Sequence, residues 1–335
     1  MLDRAALYLP YPIHEFIRGG YLAVTTFFVL SGFVLARSYA QTRWTGKSLV
    51  RYGVGRLARV YPVYVLSLLV VAPFILADQT PGKTPLVAVH GLLLQGWLGH
   101  LPVSWNTPAW SLSCEMFFYL SLPIAIASGK VRAWSPTNRI VGLLVLAAVL
   151  FAYCAAATGP VRLAMFVAGM LLHELLSVTI WRPAPSLAAI SGFAAVLLKV
   201  IPTEGSVGFT LKVVALFFGF GLLCWSCLAQ PHSWLGLGLS WAPLRWLGNI
   251  SYSYYLVHGL ALQAGFKLAT TMLPAAQWGV LGGALLLPAT FALSLLPSLL
   301  LYLIVERPLS LVPGEQTRRS VDVFPMNVID DKEPT

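Results

Sequence analysis

A polytopic, all-α transmembrane bundle is the fold class this sequence predicts, and three observations predict it. Only 10 % of the 335 residues are charged while 58 % are hydrophobic, and mean hydropathy is +0.76. Water-exposed domains carry about 25 % charged residues, so an ordinary cytosolic enzyme is excluded. Apolar runs recur along the whole chain, which excludes disorder and collagen-like structure. The Lys and Arg between those runs alternate in density from one connection to the next. One integral membrane domain over residues 1–312 is expected, followed by a polar, disordered tail over 313–335.

A bilayer core needs about 20 apolar residues per helix, with tolerance for shorter or tilted spans. That criterion predicts nine spans, at 21–36, 60–77, 108–128, 140–157, 161–177, 185–201, 209–229, 246–269 and 279–304. The third begins with Thr107 as N-cap and Pro108 at the first helical position. Residues 86–99 are apolar but too short to span, so they lie at the interface or re-enter. No secretory signal with a small-residue cleavage site and no internal repeat is present.

Orientation follows from the excess of Lys and Arg in cytoplasmic loops. Arg37, Arg43, Lys47, Arg51, Arg56 and Arg59 follow the first span. Lys130, Arg132, Arg139, Arg182, Arg245, Arg307, Arg318, Arg319 and Lys332 fall on the same side. The opposite side has Arg4, Arg18, Lys83, Arg162, Lys199, Lys212 and Lys267. This split places the N-terminus outside and the C-terminus in the cytoplasm of a cell inner (plasma) membrane protein. The net charge of +10 is then a topology signal, with no nucleic-acid partner implied. Cys114, Cys154, Cys224 and Cys227 sit inside apolar runs. The CxxC spacing of Cys224-Trp225-Ser226-Cys227 lacks a second ligand pair, so helix packing is expected and no metal.

An ionisable group in hydrocarbon costs several kcal/mol unless paired or hydrated, so each one needs a reason. Arg56 and Arg59 are three residues apart and project from one helix face at the cytoplasmic mouth. Paired guanidiniums suit bidentate phosphate contacts, as an acyl-CoA or nucleotide donor requires; the alternative is anchoring to anionic lipid. Glu115 lies two turns inside the third span, with Ser111 four residues back and Tyr119 four ahead. It is either half of a structural ion pair or a site carboxylate. Ser251, Tyr255 and His258 form a polar stripe that lines a cavity or an interhelical network. His14, beside Glu15 before the first span, is a surface-loop histidine or a site residue.

These residues sit in stretches that resemble the acyltransferase family 3 membrane proteins, the group of the O-antigen acetylases. The stretches are Gly20 to Phe33 with Ser31 inside it, Arg56-Leu-Ala-Arg59-Val-Tyr-Pro62, Trp110 to Tyr119 around Glu115, Leu247 to His258, and Val305-Glu306-Arg-Pro308. They occur in the family's order over almost the whole chain. The resemblance implies transfer of an acyl group, usually acetyl, from a cytoplasmic donor such as acetyl-CoA to a hydroxyl of a carbohydrate or lipid-linked glycan. The family usually has ten spans, the first carrying an Arg and, about ten residues on, a His that acts as general base. Arg4 and His14 approximate that spacing, but two prolines between them break a helix. The first family span is therefore expected to be missing or degraded. Thr25-Thr26 stands where the family commonly has an acidic residue.

Acyl transfer to a hydroxyl needs a base for the proton and a fixed donor environment for the oxyanion. In the reading the resemblance implies, His14 is the base and Glu115 orients a partner or the acceptor. Arg56 and Arg59 hold the donor's phosphates. Ser31, Trp110, Ser111, Tyr119, Ser251, Tyr255 and His258 line the tunnel between donor and acceptor. No cofactor is bound, acyl-CoA being a co-substrate; the other partners are the glycan or glycolipid acceptor and membrane lipid. The rivals are a transporter or flippase with a proton relay, which inverted repeats would favour, and an inactive member lacking its first helix.

Overall fold

The computed structural model describes residues 23–39, 42, 44–77, 83–98, 105–128, 131–157, 163–198, 201, 205–272 and 279–310. His14, Arg4 and the tail over 313–335 lie outside them. Among the described residues every regular element is a helix. In order these are α1 (Ala23–Tyr39), α2 (Gly46–Ala77), α3 (Lys83–Gly91), α4 (Trp110–Ser128), α5 (Pro136–Ala157) and α6 (Leu163–Val178). There follow α7 (Pro185–Leu197), α8 (Gly205–Ala229), α9 (Trp234–Leu239), α10 (Ala242–Met272) and α11 (Gly279–Leu301). A π-helical turn, Tyr302–Glu306, extends α11.

Each of the nine expected spans falls on a helix, and the differences have local causes. α2 starts 14 residues before the expected span, at Gly46. Hydropathy cannot see this start, because Lys47, Arg51, Arg56 and Arg59 occupy it. A reciprocal cap fixes it instead: the Ser48 N–H donates to Thr45 Oγ1 (3.3 Å) and the Thr45 N–H to Ser48 Oγ (2.7 Å). The expected cap of the third span is also corrected. Asn106, not Thr107, holds the extended N-cap position, and a 3₁₀ turn over Thr107–Ala109 leads into α4. The Asn106 side chain does not cap; its Nδ2 donates to Ser67 Oγ (3.0 Å) and the Leu256 carbonyl (3.2 Å), tying α2 and α10 to this corner.

Residues 95–97 pack against the start of α4. Just after α3, Leu93 has a φ of 55°, unusual for a branched side chain. Buried Gln95 then donates to the Ala109 carbonyl at 3.0 Å. The Gly96 N–H donates to Ser113 Oγ at 3.2 Å.

The outer surface is apolar. Val141, Leu144, Val145 and Val149 of α5 are all exposed, an arrangement suited to lipid tails and costly in water. Among the described residues four helical segments are long and apolar enough to cross a membrane (46–73, 136–153, 207–229 and 288–309), and α1, α6 and α7 are shorter apolar helices. The protein is thus an all-α membrane helical protein. Packing agrees with alternating spans. α1 and α6 run parallel, with Phe28 against Phe166 (centroids 4.7 Å apart) and Phe33 against His173 (6.1 Å). α5 and α6 run antiparallel, so Arg139 near the start of one meets Glu174 near the end of the other at 2.9 Å.

The α1–α6 contact depends on glycine. A Cβ at Gly32 would overlap the Phe166 carbonyl, and one at Gly169 would overlap the Val29 carbonyl. With no hydrophobic drive between helices in lipid, this close backbone approach supplies the attraction through van der Waals packing.

Candidate active site

A cavity of about 150 Å³ opens between four helices. α1 contributes Val24, Phe27, Phe28 and Ser31, and α2 contributes Arg59 and Val60. α4 contributes Ser111, Leu112, Glu115 and Tyr119, and α10 contributes Ser251, Tyr252 and Tyr255. Spacings of three, four and seven mean that each helix offers one face. The lining combines apolar side chains, Val24, Phe27, Phe28, Val60 and Leu112, with the polar side chains of the rest.

Glu115 is the carboxylate among the lining residues. Its Oε1 accepts a hydrogen bond from Ser31 Oγ at 3.3 Å and a short one from the Tyr119 hydroxyl. Among the described residues it makes no ion pair. Arg59 lies on the same cavity and is exposed to it. Ser111 Oγ donates to the Tyr255 hydroxyl (2.9 Å), which donates to the Pro108 carbonyl (2.6 Å). The Tyr252 hydroxyl reaches across to the Val60 carbonyl at 2.7 Å. Beneath it, the Ser253 N–H and Oγ donate to Glu306 at 3.2 and 2.5 Å.

Seven of the residues singled out from the sequence therefore meet on one cavity: Ser31, Arg59, Ser111, Glu115, Tyr119, Ser251 and Tyr255. Arg56 is not in the lining; it packs among Tyr39, Tyr52 and Tyr119. Trp110 sets its ring edge-on to Phe28 at 6.3 Å, outside the lining. His258 is one turn beyond Tyr255, its Nδ1 within 2.6 Å of the Tyr255 carbonyl and its ring stacked on Tyr254. Tyr252 and Glu306 had no role assigned from sequence. Tyr252 adjoins the polar stripe, and Glu306 lies in the Val305-Glu306-Arg307-Pro308 stretch.

Among the described residues no histidine lines the cavity. His90, fully buried, is committed at both ring nitrogens: Nδ1 to the Leu86 carbonyl at 2.9 Å, Nε2 accepting from the Trp105 N–H at 3.3 Å. This arrangement uses the neutral ring, and burial pushes its pKa below the ordinary 6.5. A histidine held neutral contributes stability that is present above its unfolded pKa and lost as pH falls below it. The melting temperature in detergent should therefore drop as pH falls through 6.5, and less so in His90→Gln. An equal drop in the variant would free His90 of this role.

Comparison with known proteins gives a consistent set of relatives. Residues 5–303 match the family described as an acyltransferase domain. The chain is 29 % identical to the acyltransferase MdmB of Streptomyces mycarofaciens, over 93 % of this chain and 86 % of that protein. It is 27 % identical to the O-acetyltransferase OatA of Staphylococcus aureus, over 73 % of this chain and 46 % of that one. For YrhL of Bacillus subtilis, named a putative peptidoglycan O-acetyltransferase, the identity is 26 % over 72 % and 44 %. The chain thus spans less than half the length of the last two. No solved structure matches it significantly.

Proposed function

Because the chain belongs to the acyltransferase domain family and is an enzyme that transfers acyl groups, we propose that it moves an acyl group, acetyl in the first instance, from cytoplasmic acyl-CoA to a hydroxyl of a carbohydrate or lipid-linked glycan. The observation that carries this reading is the placement of a guanidinium, Arg59, and a hydroxyl-held carboxylate, Glu115, on one cavity walled by four helices. Arg59 offers in-plane donors to a phosphate of the donor. Glu115 accepts a hydrogen bond from the acceptor hydroxyl and holds it toward the acyl carbon. Attack requires the hydroxyl proton to leave as the C–O bond forms, and His14 is the base in this reading. The tetrahedral oxyanion collapses with expulsion of the CoA thiolate, which takes up a proton. Tyr255 and Ser111 also line the cavity, where hydroxyl donors and acceptors suit a sugar.

Membranes carrying the protein, given radiolabelled acetyl-CoA, should release free CoA and place base-labile label on a glycan or glycolipid. Absence of both, with the protein abundant, would sink the enzymatic reading and favour transport. The proposed orientation has its own check. A cysteine placed at Lys47, which is exposed before the first turns of α2 enter the bundle, should resist an impermeant thiol reagent in intact cells and react in opened ones. Labelling in intact cells would reverse the orientation.

A further inference from the structure

The spacing of Arg56 and Arg59 invites the view that they grip the donor together, but their surroundings differ. Three tyrosine rings enclose the Arg56 guanidinium: Cζ stands 5.6 Å from the centroid of Tyr39, 5.5 Å from Tyr52 and 5.1 Å from Tyr119. Nη2 donates to the Tyr39 hydroxyl at 3.1 Å. Trp44 completes the cluster, stacked on Tyr39 at 5.6 Å and edge-on to Tyr52 at 5.4 Å. A planar guanidinium has two faces, so three rings at this range obstruct part of its edge as well. The Tyr39 bond takes a further N–H. Little of the fork is left for a phosphate, whereas Arg59, one turn on, opens onto the cavity and makes no hydrogen bond among the described residues.

What Arg56 does touch leads to the reacting centre. Tyr119 lies with its ring against the Arg56 guanidinium and its hydroxyl on Glu115 Oε1. Rings and cations attract face to charge, so Arg56 fixes the plane of Tyr119, and that plane fixes where the hydroxyl points. On the acyltransferase reading above, we propose that Arg56 is a positioning residue that holds Tyr119, and through it the Glu115 carboxylate, while Arg59 alone meets the donor's phosphates. The two arginines thus serve the two substrates separately: one the donor, the other the carboxylate that faces the acceptor.

The test separates binding from turnover in purified full-length protein, using coenzyme A itself as the binding probe. Arg59→Gln should weaken coenzyme A binding and raise KM for acetyl-CoA by about tenfold or more, the loss of one charge-assisted contact. Arg56→Lys keeps the charge and loses the planar group. It should leave coenzyme A affinity within about twofold while kcat falls by about tenfold or more. Tyr119→Phe should reproduce that kcat loss with affinity intact, and the double variant should be no worse than either single one. Should Arg56→Lys fail to fold, Tyr119→Phe and Tyr39→Phe carry the same comparison. Equal weakening of coenzyme A binding by Arg56→Lys and Arg59→Gln would overturn the proposal, as would an unchanged kcat in Tyr119→Phe. Wild-type protein without any acyl transfer would instead overturn the acyltransferase reading on which this rests.

Discussion

Glu115→Gln lowers acyl transfer by about tenfold or more, the loss of a charge-assisted hydrogen bond to the acceptor hydroxyl, while leaving the melting temperature in detergent nearly unchanged. The expectation rests on what the carboxylate touches. Breaking a buried ion pair costs roughly 3–5 kcal/mol because it strands the partner charge. Among the described residues the partners of Oε1 are the hydroxyls of Ser31 and Tyr119, and an amide oxygen still accepts from both, more weakly, without stranding a partner charge. Charge is lost and shape is kept. Activity per folded molecule and thermal stability, measured on one preparation, decide the matter. A variant that melts far lower but turns over normally per folded molecule assigns Glu115 to structure.

Gly169→Ala has the largest expected effect on stability. The new Cβ would occupy the space of the Val29 carbonyl, a backbone atom that no rotamer change can move. α1 and α6 must therefore separate. Separation opens the ring stack of Phe28, Phe166 and Phe118, whose successive centroids are 4.7 and 4.0 Å apart, and Phe28 forms part of the cavity wall. Overpacking a core costs typically 1–3 kcal/mol and more when the backbone must shift, so about 3 kcal/mol or above is expected, with activity falling alongside. Gly221→Ala is the matched control, since nothing lies within 4 Å of its added Cβ. There the sign reverses, and alanine stabilises the helix by roughly 0.5–1 kcal/mol. If both substitutions shift the melting temperature alike, the glycine contact does not hold α1 to α6.

What the sequence made legible follows from what lipid demands. Every apolar run long enough to span lies on a helix, because in hydrocarbon no other open-ended conformation satisfies the backbone. Glu115, Ser111, Tyr119, Ser251 and Tyr255 were readable because polar groups in apolar runs need a shared interior. The helical start of α2 was hidden by its charged residues, and the Asn106 cap by the stronger local signal of Thr107-Pro108. The separation of Arg56 from Arg59 was hidden for a geometric reason. Three residues leave side chains about 60° apart around the axis, near enough to share a face in projection. That angle suffices for one to meet a tyrosine cluster and the other a cavity. A single residue turns the helix by about 100°, which takes Trp110 away from Ser111 and onto Phe28.

The cavity joins segments that are far apart along the chain, and this dictates the order in which it is built. The bonds that close it, Tyr252 to Val60 and Tyr255 to Pro108, span 192 and 147 residues. At about 5–20 residues per second on the ribosome, α10 follows α4 by several seconds to tens of seconds. During that interval the wall bearing Tyr252 and Tyr255 does not exist, and Glu115 faces whatever fills the gap. The two hydroxyls that hold its carboxylate come from α1 and α4, both synthesised by then. The nascent chain thus carries its own solvation for the charge it leaves exposed in mid-assembly. The site is completed when a late-arriving helix docks onto a carboxylate already held in place.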